Sequence, residues 1–162
     1  MPSTIIGIDP GTLNTGYAVI VAKQRGWGVQ DLGVIRLRAS LAYEQRIVLL
    51  HDKIAEILAA NRPQRAVLEK VFHGLNAASA IKLGELRGAV LVALHRANVE
   101  MGNITNITPA QAKQYITGNG RASKLQVSQA VSSLFNLRLT DAPADATDAL
   151  ALAATAVNSW FG

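Results

Sequence analysis

The chain has 162 residues, of which 49% are hydrophobic, 17% charged and 5% aromatic, with 16 Lys+Arg against 11 Asp+Glu for a formal net charge of +5. This mix fits one soluble domain spanning residues 1–162 with a full-sized core and excludes a disordered or fibrous chain. There is no cysteine, so disulfides, thiolate metal sites and a cysteine nucleophile are excluded, and without a long apolar run or a basic leader the expectation is a cytoplasmic protein with no membrane partner.

Thr4 to Ile8 is a β-rich run ending at Asp9, before the turn signal Pro10-Gly11. Tyr17 to Val21 reads as a second strand and Trp27 to Leu37 as a third, and their short loops imply an antiparallel meander. From Leu41 to Asn61, Ile47, Leu50, Ile54, Ile57 and Leu58 recur at helical spacing until Arg62-Pro63 ends the run. Ala66 to Glu69 is a buried fourth strand that, like the first, ends on an acid. Ala77 to Ala97 is a long helix with Gly84 and Gly88 on one face, a pattern that suits close packing within the chain or across a dimer. Ile104 to Ile107 is a fifth strand, Thr108-Pro109 opens a helix, Ser123 with Gln126 caps another from Lys124 to Phe135, and a last helix begins near Asp141-Ala142-Pro143. The predicted fold is α/β, a five-stranded mixed sheet flanked by helices.

Charge is unevenly spread. From Met101 to Thr140 the only charged residues are the bases Lys113, Arg121, Lys124 and Arg138, and from Asp141 onward they are three aspartates. A phosphate-gripping shelf beside a metal-binding patch has this pattern, and so does ordinary sorting of surface charge. Asp145 and Asp148 are three apart and share a helix face. The helix dipole alone accounts for acids in a first turn, and Asp141 is explained as a cap. Asp9 shifts the balance, because it and Glu69 end strands where open α/β sheets place ligands. If the last helix packs over that edge, the carboxylates converge, and such a cluster makes physical sense when cations sit within it. Oxygen donors point to magnesium or manganese, and two such ions point to phosphodiester hydrolysis.

Gly7-Ile8-Asp9-Pro10-Gly11-Thr12 with Thr15-Gly16-Tyr17, Leu68-Glu69-Lys70-Val71-Phe72, Asn76-Ala77-Ala78-Ser79-Ala80 with Leu83-Gly84 and Arg87-Gly88, and Asp145-Ala146-Thr147-Asp148-Ala149-Leu150 together resemble the RuvC Holliday-junction resolvases of bacteria. The likeness runs from about residue 5 to 155 in the family's order and spacing. It implies a ribonuclease H-like fold and a homodimer making paired, symmetric nicks in a four-way DNA junction during recombination and repair, with the RuvA–RuvB branch-migration complex as partner. The acidic tetrad falls on Asp9, Glu69, Asp145 and Asp148, holding two Mg2+ or Mn2+ ions. Phe72 matches an aromatic that stacks on a base near the crossover, although a phenylalanine is ordinarily core. Lys113 and Lys124 match lysines that contact the junction backbone, their alternative being solvated lysines near helix starts, and Arg87 is a further phosphate-contact candidate. Two departures are Lys70, where glutamine is common, and Glu85, in a stretch of small or uncharged residues. His51 and His95 read as surface or packing residues, His73 adjoins Phe72, and Gly118-Asn119-Gly120 reads as a flexible loop.

Other classes remain open on the residues alone. Asp9-Pro10-Gly11-Thr12 also resembles the phosphate loop of actin-like ATPases, which need two such domains. A ribonuclease H-type nuclease would cut RNA–DNA hybrid, and a non-catalytic junction binder would tolerate loss of Asp9.

Overall fold

The computed structural model describes residues 3–70 and 76–158. Its elements are β1 (Thr4–Asp9), β2 (Asn14–Ala22), β3 (Trp27–Arg36), α1 (Tyr43–Asn61), β4 (Arg65–Glu69), α2 (Ala77–Arg96), a short 3-10 turn (Met101–Asn103), β5 (Ile104–Ile107), α3 (Pro109–Thr117), α4 (Lys124–Phe135) and α5 (Ala144–Asn158). The sheet order is β3-β2-β1-β4-β5, antiparallel across β1, β2 and β3 and parallel from β1 through β4 to β5. This is the expected mixed sheet and the ribonuclease H-like arrangement.

β1 is central and covered on both faces, which is why its sequence is a continuous apolar run and does not alternate. Ile6 and Ile8 pack with Leu50, Ile54 and Leu58 of α1 and Leu86, Val90 and Leu94 of α2. Ile5 joins Ala18, Ile20 and the apolar face of α5, with α3 and α4 outside it. Each fully buried Leu or Ile contributes roughly 1.5–3 kcal/mol, so the sheet is fixed from both sides. Helix ends follow the expected chemistry. Pro63 disfavours a helical residue before it, and Arg62 turns into the left-handed region at φ 46 while its N–H bonds Leu58 O. Thr108 with Gln111 and Ser123 with Gln126 close reciprocal capping boxes on α3 and α4.

Two boundaries differ from the sequence reading. β2 begins at Asn14, three residues early, because Thr15 and Gly16 continue the ladder and Gly16 pairs Asp9. α5 begins at Ala144, after Pro143, whose carbonyl accepts the Thr147 N–H. Asp141 therefore stands outside the helix, and among the described residues it caps nothing.

Candidate active site

The site forms at the carboxyl ends of two parallel strands. Ile8 pairs Leu68, so the next residues, Asp9 and Glu69, end β1 and β4 side by side. Adjacent strands lie about 4.8 Å apart, and neighbours in register point to one face, so the two carboxylates share the α5 side of the sheet. α5 reaches them because two strand residues lack a Cβ. A Cβ at Gly7 would overlap the carbonyl oxygen of Ala149, and one at Gly16 would overlap the carbonyl oxygen of Asp145. Glycine here permits close helix–strand approach, which brings Asp145 and Asp148 over the strand ends.

The electrostatics record this convergence. Burial first, then the charges of Glu69, Asp148 and Asp145, push the Asp9 carboxyl up from 3.8 to about 7, against the opposing charge of Lys124. Glu69 is raised too, by burial and then by Asp148. Asp9, Glu69, Asp148, Lys113 and Lys124 line one cleft. Asp145 contributes its charge from beside it. Among the described residues, no three acids or histidines are gathered into a group that could hold a metal ion. The donors fit a hard divalent cation in kind, being oxygens only.

The basic shelf and the acidic cluster, expected side by side, share one cleft. Lys124 Nζ donates to Asp148 Oδ2 at 2.9 Å, and Asp148 raises the Lys124 ammonium above its ordinary value, first through this hydrogen bond and then through charge. The N-termini of α4 and α5 lie together, so base and acid meet in the cleft, and Lys124 is not merely solvated. Lys113 lines the same cleft from α3. Arg87 does not. It is half-buried on α2 and its guanidinium donates to Asn106 of β5, with Nε buried and unpartnered among the described residues. Phe72 and His73 lie outside the described residues.

Two other expectations change. Gly118-Asn119-Gly120 is a tied turn: Gly120 N–H donates to Gln114 Oε1, Arg121 N–H to Asn119 Oδ1 and Gln114 Nε2 to Gly118 O, each at 2.9 Å. Among the described residues, Gly84 and Gly88 pack against nothing, since a Cβ at either meets no atom within 4 Å, so of the two expected close contacts the one within the chain is not seen there. His51 lies beside Asp52, with Nδ1 3.0 Å from Oδ1, in keeping with a surface role. Sequence reasoning missed the part played by Gly7 and Gly16. For Gly7 the signal was glycine inside an otherwise apolar strand run; Gly16, just ahead of the expected second strand, carried none.

Comparison with known proteins agrees with this geometry. The model of the family described as crossover junction endodeoxyribonuclease RuvC matches residues 5–156. The chain belongs to the RuvC family. The RuvC of Halorhodospira halophila is 42% identical over 149 residues, covering 92% of this chain and 86% of its own. That of Chlorobium phaeobacteroides is 38% identical over 149 residues, covering 92% and 78%. In structure, T. thermophilus RuvC in complex with Holliday junction substrate superposes with a TM-score of 0.89 at 30% identity, covering 99% of this chain and 96% of that one. As a RuvC-family member the chain is a crossover junction endodeoxyribonuclease.

Proposed function

We propose that this endonuclease resolves four-way DNA junctions as a homodimer, one nuclease unit of residues 1–162 per strand cut, using Asp9, Glu69, Asp145 and Asp148 to hold two Mg2+ or Mn2+ ions. The carrying observation is the Asp9 carboxyl, raised to about 7 first by its burial and then by the charges of Glu69, Asp148 and Asp145, a crowding of acids that has no evident return in a protein that only binds phosphate. When bound, such ions supply a hydroxide nucleophile and stabilise the leaving 3′ oxygen. The chain's own residues orient the strand: Lys113 and Lys124 face the cleft as phosphate partners, and Phe72 stacks on a base at the crossover. The RuvC bound to Holliday junction substrate supports the choice of substrate. Contact with the RuvA–RuvB complex belongs to the same reading.

A dimer is supported by the outer face of α2. Ile81, Gly84, Gly88 and Val92 form one stripe at helical spacing, with Ile81 and Val92 exposed and, among the described residues, open space above both glycines. Gly88→Arg is expected to convert the dimer to monomers in sedimentation, and a monomeric wild type would count against the stripe.

The deciding experiment compares a mobile four-way junction, a linear duplex and an RNA–DNA hybrid, with Mg2+ or Mn2+, for wild type and Asp9→Asn. Paired nicks on the junction alone are expected, reduced roughly a thousandfold in the variant with junction binding kept. Equal cutting of the hybrid would replace this reading with a ribonuclease one, and binding without metal-dependent cutting would replace it with a binding protein.

A further inference from the structure

Lys124 occupies two roles that exclude each other. Its resemblance to backbone-contacting lysines gives it to DNA, yet its ammonium is bonded to Asp148 at 2.9 Å. Nothing in the packing forces that bond, since the Lys124 side chain is 78% exposed while Asp148 is 31% exposed. Lys124 is also the first residue of α4, where the helix dipole is unfavourable to a cation. The attraction comes from the acids, because Asp148, Asp9 and Asp145 all act on the ammonium. The ammonium therefore stands where a cation is needed.

We propose that Lys124 is a resident stand-in for the divalent ion: it latches Asp148 in the metal-free protein, and when an ion takes that carboxylate the ammonium passes to a DNA phosphate. This rests on the reading that Asp148 is a metal ligand. An oxygen that accepts the ammonium is not free for an ion, and two cations crowded on one carboxylate repel each other. An exposed ammonium–carboxylate pair is weak, so an ion held by several carboxylates displaces it. Lys124 thus competes with metal in the free protein and adds a phosphate contact once metal is bound. Metal and DNA are then coupled, each favouring the other by the same factor. Lys113 lines the same cleft without an ion pair among the described residues, which makes it the control for charge without the latch.

The first test measures Mn2+ binding to the DNA-free protein by electron paramagnetic resonance for wild type, Lys124→Gln, Lys113→Gln and Asp9→Asn. Lys124→Gln should bind Mn2+ about 3- to 10-fold more tightly than wild type, with a smaller change for Lys113→Gln. An unchanged or weaker affinity in Lys124→Gln, or equal tightening in both lysine variants, would overturn the latch while leaving the metal reading intact. Absence of any Asp9-dependent Mn2+ binding would overturn both. The second test needs no metal. Asp148→Asn should free Lys124 and steepen the salt dependence of junction binding by about 0.9 in the log–log slope, and in a Lys124→Gln background the same change should leave the slope where it was. A slope indifferent to Asp148→Asn when Lys124 is present, with circular dichroism showing a folded protein, overturns the handover.

Discussion

The two faces of the sheet are built differently. Against α1 and α2 the strands present Ile6, Ile8 and Val19 to Leu50, Ile54, Leu58, Leu86, Val90 and Leu94, an ordinary layer of large side chains. Against α5, near the site, the contact is made by Gly7 and Gly16 with Ala146, Ala149 and Ala153, and backbone nearly meets backbone. The first face supplies stability through volume. The second sets a distance, because the acids of α5 reach the strand ends only if the helix lies this close.

That contrast predicts opposite signatures for damage. Gly16→Ala places a methyl group into the Asp145 carbonyl, where backbone and not a flexible side chain must yield. Overpacking usually costs about 1–3 kcal/mol and sometimes more, and here the helix start should also lift away, lowering cleavage at least tenfold in protein that is still folded. Leu50→Ala on the other face should cost about 2–5 kcal/mol and leave cleavage per folded molecule unchanged. Denaturant melts paired with single-turnover cleavage separate the two. Should Gly16→Ala cut like wild type, helix height is not what positions the acids.

Much of this was legible from residue order. The strands, helices and their sequence emerged from turn signals, capping boxes and helical spacing, because those are local effects that neighbouring residues impose. Asp9 and Glu69 were readable as strand-terminal acids, and the RuvC-like motifs joined them to Asp145 and Asp148. What stayed hidden was three-dimensional. Gly16 looked like part of a turn because its partner, the α5 backbone, is about 130 residues away in sequence. Lys124 looked like one base on a shelf because its bond to Asp148 depends on how α4 and α5 meet. Arg87 looked like a phosphate contact, and its hydrogen bond to Asn106 of β5 depends on how α2 meets the sheet.

The thin face also carries the site's pH dependence. Asp9 is raised from 3.8 to about 7, so between those values the folded metal-free protein holds a proton that the unfolded chain has lost. Stability should then rise as pH falls from about 8 towards 4, by at most about 1.4 kcal/mol per pH unit and less where water in the cleft screens the charges. Glu69, also raised, works in the same direction. Thermal melts in EDTA from pH 8 to 5 should show wild type gaining on Asp9→Asn, whose carboxamide does not titrate. Parallel curves would mean that neither burial nor the neighbouring acids raise Asp9. A bound divalent ion favours the ionised carboxylate, so Mn2+ affinity should fall as pH drops through about 7.

The smallest expected effect separates two cations that look alike in sequence. Lys113 sits in the cleft from α3, whereas the Arg87 guanidinium is committed to Asn106 at the edge of the sheet. A lysine that neutralises one phosphate releases about one counterion, so Lys113→Gln should make the salt slope of junction binding shallower by about 0.9 and weaken all junction sequences alike. Arg87→Gln should leave that slope unchanged and act instead through the α2–β5 contact, appearing as a modest loss of stability. If the slope responds to Arg87 and not to Lys113, the junction passes over the β5 edge and not across the mouth of the cleft, and the strand path inferred from the cleft lysines is wrong.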